Sequence, residues 1–280
     1  MTEREGGATP AAPARSDLRL RLISTAVLAP LALAAAWWGG VPGYLVAGIA
    51  AVIVFHEWMG IGGAPFRRPG ALLAALLVLA APLVGGLVDL SLGLAALAVA
   101  AAVGAALDRS AWLAGGVAYA GALGIGLTAL RMDQSFGAAA LLILFVLVWG
   151  TDSCAYFVGR AVGGPKLWPA VSPKKTWSGF FGGLIGGVGL ALVVASLVEA
   201  RIAPALVVVL AALSLASQAG DLFESSLKRH FGVKDASGLI PGHGGLMDRV
   251  DGLIFAAAAA AALGWMRAGA DQIANGAFRW

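Results

Sequence analysis

The sequence predicts an all-α, polytopic integral membrane bundle of about nine transmembrane helices, with the N-terminus inside and the C-terminus outside. Three observations carry that expectation. Of 280 residues, 60% are hydrophobic and only 12% are charged, about half the charged share of a soluble domain. The 19 basic and 15 acidic side chains cannot clothe a soluble protein of this length in polar surface. Apolar blocks of bilayer length recur along the chain, and the basic residues between them are dense on alternate connections only.

The blocks lie near residues 22–38, 41–59, 71–88, 91–107, 111–130, 137–158, 179–198, 203–220 and 250–266. Each approaches the roughly 20 apolar residues that a helix needs to cross the hydrocarbon core. The division between the first two, at Val41-Pro42-Gly43, is the least marked. Residues 1–17, rich in Ala, Pro and Gly, read as a disordered tail without the apolar run of a signal peptide, and residues 18–280 as one transmembrane domain. The pair Trp37-Trp38 ends the first block as an interfacial belt does. With the N-terminus inside, fifteen of the 19 Lys and Arg fall on inner segments, and only Arg131, Arg201, Arg267 and Arg279 fall outside. Retention of basic residues on the cytoplasmic side then places both long polar loops, 159–178 and 221–249, in the cytoplasm.

Composition also excludes several chemistries. One cysteine, Cys154, permits no internal disulfide, and with only His56, His230 and His243 beside it a transition-metal centre is not expected. Any metal would be a hard cation held by oxygen. The net charge of +4 is spread between apolar blocks rather than gathered in a stripe, so nucleic acid is not a partner. Gly159 to Lys166 imitates a Walker loop, but Pro165 follows Gly164 where lysine is required. No G-x-S-x-G elbow or H-E-x-x-H pair occurs. His56-Glu57 reads as a polar pair for helix packing, and Asp89, Asp108 and Asp133 as ordinary loop-end acids.

The remaining acids gather at the ends of spans. On a continued eighth helix Asp221, Glu224 and Lys228 share a face, and Asp248 and Asp251 are likewise three apart. Acids at span centres cost about 2.5–3.5 kcal/mol on insertion scales, so they are rarely kept without a use. Two acid pairs entering one cytoplasm-facing cavity suit magnesium with several retained waters; solvated helix ends with Glu224 paired to Lys228 are the plainer alternative. Between the pairs, residues 234–245 hold four glycines, Pro241 and His243, a loop whose exposed amides can cradle phosphate. The other polar loop carries Ser172-Pro173-Lys174-Lys175-Thr176-Trp177-Ser178, where a hydroxyl caps the next helix and two lysines beside its positive end favour a polyphosphate. Asp152, Tyr156 and Arg160 share a face at four-residue spacing. Gly179, Gly183 and Gly187 allow close helix approach, within one subunit or across a homodimer contact, and the alanine run 256–262 reads as another tight surface.

Ser225-Ser226-Leu227-Lys228-Arg229, Lys234-Asp235 and Pro241 through Asp251 (PGHGGLMDRVD) together resemble the signature of phosphatidate cytidylyltransferases, the CDP-diacylglycerol synthases. Asp152-Ser153, Ala155-Tyr156, Gly159-Arg160 and the Ser172 to Trp177 stretch extend the resemblance, which is strong over residues 150–255. Ser178 and Gly252 depart from the family pattern. The resemblance implies a reaction of CTP with phosphatidic acid in the bilayer, giving CDP-diacylglycerol and pyrophosphate. It implies Mg2+, with room for a second cation, on Asp221, Asp248 and Asp251 with Glu224 beside them. Lys228 and Arg249 complete the catalytic set. Phosphate and substrate contacts fall to Ser172, Lys174, Lys175, Thr176, Arg229, Lys234, Asp235, His243, Gly244 and Gly245, with Asp152 and Tyr156 lining the cavity. A bacterial inner membrane with the site facing the cytoplasm follows from these substrates and from the composition. A CTP-dependent polyprenol kinase and a transporter of phosphate compounds are the alternatives. The second expects paired broken helices, which the sequence lacks. A CDP-alcohol phosphotransferase is disfavoured because Asp251-Gly252 is followed by Leu253-Ile254-Phe255-Ala256, not by the D-G-x-x-A-R pattern.

Overall fold

The computed structural model describes residues 14–198, 200–240 and 244–280, with side chains from residue 26 onward. The tail expected over residues 1–17 therefore lies outside the described residues except for its last four, which open the first helix. In chain order the elements are α1 (Ala14–Trp38), α2 (Gly40–Ile61), α3 (Pro69–Leu87), α4 (Leu90–Asp108), α5 (Ala111–Met132), α6 (Gly137–Val162), β1 (Lys166–Trp168), β2 (Ser172–Thr176), α7 (Trp177–Leu197), α8 (Pro204–His230), α9 (Met247–Ala268), a 3-10 turn (Ala270–Gln272) and α10 (Ile273–Phe278). Each expected span has its helix. Among the described residues, α2 to α9 are the eight helices long and apolar enough to cross a bilayer, and α1 adds the shorter apolar stretch Ala26–Trp38.

Local chemistry sets the helix limits. Gly39 and Gly40 take φ of +58° and +52°, a region that residues with a Cβ rarely enter. The first division therefore falls there, just ahead of Val41. Arg131 of α5 donates to the Ala36 and Trp37 carbonyls at 2.6 and 3.0 Å, satisfying acceptors that the C-terminus of α1 leaves open. The three loop-end acids are all caps. Asp89 accepts from the Ser91 amide, and Asp108 at the end of α4 accepts from Gly70 and Ala71 at the start of α3. Asp133 accepts from Ser135 and Phe136 ahead of α6 and, with its other oxygen, from Asn275 of α10. Burial alone raises the Asp133 carboxyl, but the hydrogen bonds from Asn275, Ser135 and Phe136 outweigh it and hold the group below the usual carboxylate range. They also fold the chain end back onto the bundle, with Phe278 fully buried.

Among the described residues the most extensive helix contact is that of α6 with α7. A Cβ on Gly179 or Gly183 would stand 2.7 Å from the carbonyl oxygen of Ala155 or Thr151, and one on Gly187 would stand 3.0 Å from that of Leu147. The glycine stripe therefore serves packing within the chain, with α6 lying on it. Gly183→Leu should cost about 1–3 kcal/mol by overpacking, read as a shifted unfolding midpoint in mixed micelles. Gly189→Ala on the same helix, where an added methyl meets nothing within 4 Å, should leave the midpoint in place. The alanine run plays the same part on α9: Ala256, Ala257 and Ala260 are fully buried, and Gly126 of α5 lies against Ala257.

Beyond the expected helices the chain forms a hairpin, β1 against β2, with Lys166 opposite Thr176 and Trp168 opposite Ser172. The Trp177 amide donates to the Pro165 carbonyl, and Thr176 caps α7 by accepting from the Gly179 amide. The hairpin is thereby fixed to the start of α7. One end of the bundle gathers this hairpin, the end of α2, the starts of α5 and α9 and the end of α8. There Trp58 and Trp112 stack at 4.5 Å and exchange indole-to-carbonyl hydrogen bonds, and Phe231 leans on Trp112. The opposite end holds the Arg131 and Asp133 junctions.

Candidate active site

Helix α8 continues about ten residues past its apolar block, and this extension carries the acids. Its small and polar residues are compatible with helix, and Lys228, Arg229 and His230 in the last turn suit the negative helix end. Glu224 and Lys228 are buried, and Lys228 Nζ donates to Glu224 Oε2 at 3.1 Å and to Asp248 Oδ1. One ammonium thus ties α8 to α9. Asp221 pairs with Lys175 of β2 and accepts from Ser225 Oγ at 3.3 Å. One turn past Asp248, Asp251 lies within electrostatic reach of Asp221, Glu224 and Lys175, and Asp152, in the second half of α6, senses Asp251, Asp221, Lys175 and Arg249.

Five carboxylates from three helices therefore converge with Lys175, Lys228 and Arg249, leaving acid in excess. The surplus is poorly satisfied. Glu224 Oε1 is buried with no donor among the described residues and the Asp251 carboxyl beside its side chain, and the hydroxyls of Tyr119 and Ser217 and the amide nitrogen of Gln218 are buried without a hydrogen-bond partner among them. Each such atom costs about 1–3 kcal/mol, and Tyr119 of α5 faces the same acids. A site of this composition fits a hard cation with water. In the present conformation no three of the described acids or imidazoles close around one point, and Lys175 occupies Asp221.

Asp248 takes a different place from the one its spacing implied. Its Oδ2 accepts from the Ala236 amide at 3.0 Å and the Gly245 amide at 2.8 Å while Oδ1 holds Lys228. Glu57 of α2, read from sequence as a packing pair with His56, is 2% exposed and does more. It accepts from Ser237 Oγ (2.6 Å), the Leu246 amide (3.0 Å) and the Met247 amide (2.6 Å). These two carboxylates take up the amides of Ala236, Gly245, Leu246 and Met247, so the phosphate cradle expected over residues 234–245 is corrected at Ala236 and Gly245, whose amides already hold the protein's own anions. Gly244 has φ +80°, and a Cβ there would stand 2.8 Å from Asp248 Oδ2, while one on Gly245 would stand 2.7 Å from Glu57 Oε1. Each of the adjacent glycines lies against a carboxylate, and the positive φ of Gly244 favours glycine in its own right.

The other predicted residues divide between cluster and rim. Lys174, Arg229, Lys234, Asp235 and Arg249 are exposed around the acids, and Ser172 is half-buried in the hairpin. Thr176 is buried and committed to capping α7, which corrects its reading as a substrate contact. Tyr156 is exposed and accepts from Arg160 at 2.9 Å, bearing out the shared face. His243 lies outside the described residues. The signal that could have exposed Glu57 was an acid inside an otherwise apolar span, which by default marks a functional position.

An acid cluster rimmed by lysine and arginine, set at one end of an apolar helical bundle, defines a membrane-embedded enzyme. The cytidylyltransferase family model matches residues 19–266, and the chain belongs to that family. Phosphatidate cytidylyltransferases of Brucella suis and Brucella abortus are each 42% identical over 249 residues, covering 87% of this chain and 92% of their own length. That of Staphylococcus saprophyticus is 46% identical over 134 residues, 48% of this chain and 52% of its own.

Proposed function

We propose that the protein transfers a cytidylyl group from CTP to phosphatidic acid. A phosphate oxygen of the lipid attacks the α-phosphorus, the bond from that phosphorus to the bridging β-phosphate oxygen breaks, and pyrophosphate leaves with CDP-diacylglycerol formed. The observation that carries this reading is the meeting of Asp221 and Glu224 with Asp248 and Asp251 beside Lys175, in a chain whose named relatives are phosphatidate cytidylyltransferases. Both substrates are anionic, and the lipid phosphate is already ionised near neutral pH, so the chemistry asks for neutralisation and alignment rather than a strong base.

The excess of carboxylate and the orphan oxygen on Glu224 fit Mg2+, with Asp221, Asp251 and Glu224 as its holders. Bound there, the cation would supply charge neutralisation of the triphosphate and the leaving pyrophosphate. Asp248 holds Lys228 and the glycine loop in register. Lys175, beside Asp221, and the exposed Lys174 meet nucleotide phosphates. Arg229, Lys234 and Arg249 serve the phosphates of either substrate. We place this end in the cytoplasm of a bacterial inner membrane, N-terminus in and C-terminus out, on the basic-residue distribution and the bacterial relatives.

Purified protein given phosphatidic acid, Mg2+ and CTP labelled at either the α- or the γ-phosphorus tests the reading. The α-label is expected in lipid and the γ-label in pyrophosphate. A γ-label in lipid would instead mean a kinase, and no turnover would reject the assignment. Lys174→Ala should raise KM for CTP about tenfold, the equivalent of about 1.4 kcal/mol of phosphate contact, with kcat nearly unchanged. An unchanged KM would remove the hairpin from the nucleotide site.

A further inference from the structure

Helix α9 begins without a side-chain cap of its own at Leu246, although its first turn carries Asp248. The first amides of a helix must find acceptors, and here the acceptor comes from α2, 189 and 190 residues away in sequence. We infer that Glu57 is a positioning residue for the proposed cytidylyl transfer, fixing the start of α9 and the glycine loop so that the α9 acids are aimed at the α8 acids. The inference rests on that functional reading for its kinetic consequence, and on geometry alone for its structural one.

Three features support it. Glu57 spends both oxygens on this junction, Oε1 on Ser237 and Leu246 and Oε2 on Met247. Its donors bracket the loop, Ser237 near the beginning and Leu246 and Met247 at the exit, so one carboxylate closes the loop as well as capping the helix. Asp248 follows Met247 directly and clasps the same loop through Ala236 and Gly245. Gly245 passes between the two carboxylates with no room for a methyl group. A shift of the Met247 amide is therefore carried to Asp248 and, one turn on, to Asp251. Misplacement of reacting groups by about 1 Å can cost about 100-fold in rate. The apolar first half of the chain thus contributes a named side chain to the order of the site.

The test is Glu57→Gln, which keeps volume and one acceptor oxygen but sets an NH2 group against the Met247 amide, with Ser237→Ala and the double variant beside it. In detergent-purified protein, Glu57→Gln should lower kcat about 10- to 100-fold with KM for CTP within about threefold and the folded fraction preserved. Ser237→Ala should lower kcat less, and should add little in the Glu57→Gln background because both act on one junction. Amide exchange at Leu246 and Met247 should speed up at least about tenfold in Glu57→Gln. An unchanged kcat, a rate loss equal to the loss of folded protein, or full additivity of the two variants would overturn the kinetic role. Unchanged exchange at both amides would overturn the anchor itself, and that arm decides the matter even if the wild-type protein turns over no CTP, the result that would instead reject the functional reading.

Discussion

Asp251→Asn is expected to lower kcat by on the order of 10³ while leaving the protein folded in detergent, and Asp221→Asn to do the same. Asparagine preserves the volume of Asp251 and the oxygen that accepts from the Gly252 amide at 2.8 Å, so packing gives no reason for the loss. What changes is charge. Asp251 stands where the fields of Asp221, Glu224 and Lys175 meet, the place from which a carboxylate contributes most to holding a cation against nucleotide phosphates. Removing one preorganised charge partner from such a site costs about 10²–10³ in comparable chemistry, and loss of the ion as well brings the expectation to the upper end. Near wild-type rates in both variants would remove the metal assignment, whatever the family membership.

Lys228→Ala is expected to cost about 3–5 kcal/mol, the largest stability effect in the chain outside the packed core. The Lys228 side chain is 11% exposed, and its partners Glu224 and Asp248 are 1% and 6% exposed. Truncation leaves these two carboxylates facing each other with no ammonium between them, and Asp248 then holds the glycine loop as an uncompensated charge. A shift of the unfolding midpoint in mixed micelles reads the loss. The triple change Lys228→Met, Glu224→Gln and Asp248→Asn, which removes all three charges, should recover much of it, since replacing a whole buried ionic group is less costly than breaking one. A single-variant cost below about 1 kcal/mol would mean that the α8–α9 clasp contributes little.

Both expectations concern residues that spacing alone had grouped, and the reason is physical. Helical periodicity puts Asp221, Glu224 and Lys228 on one face wherever the helix continues, and hydropathy finds the spans because a bilayer admits little else. The Thr176 cap was readable for the same local reason. What stayed hidden depends on chain segments remote in sequence. Nothing near Glu57 points to Ser237 or Met247, and nothing near Asp133 points to Asn275. The hairpin was hidden too: three residues of β1 against five of β2, one of them Pro173, carry too short an alternation to stand out from a polar loop. At Ala236 and Gly245 the cradle expectation failed because amides able to bind phosphate bind a carboxylate equally well, and sequence does not say which anion arrives first. The glycine stripe was resolved only when α6 was found lying on it.

The account turns on carboxylates of α8 and α9 jointly holding a divalent ion beside nucleotide, and Mn2+ binding in the presence of CTP, followed by electron paramagnetic resonance, tests that most directly. Wild-type protein should bind the ion, Asp221→Asn and Asp251→Asn should each weaken binding at least about tenfold, and Asp89→Asn at the opposite end of the bundle should leave it unchanged. Equal Mn2+ binding by the wild type and by both site variants would contradict the account.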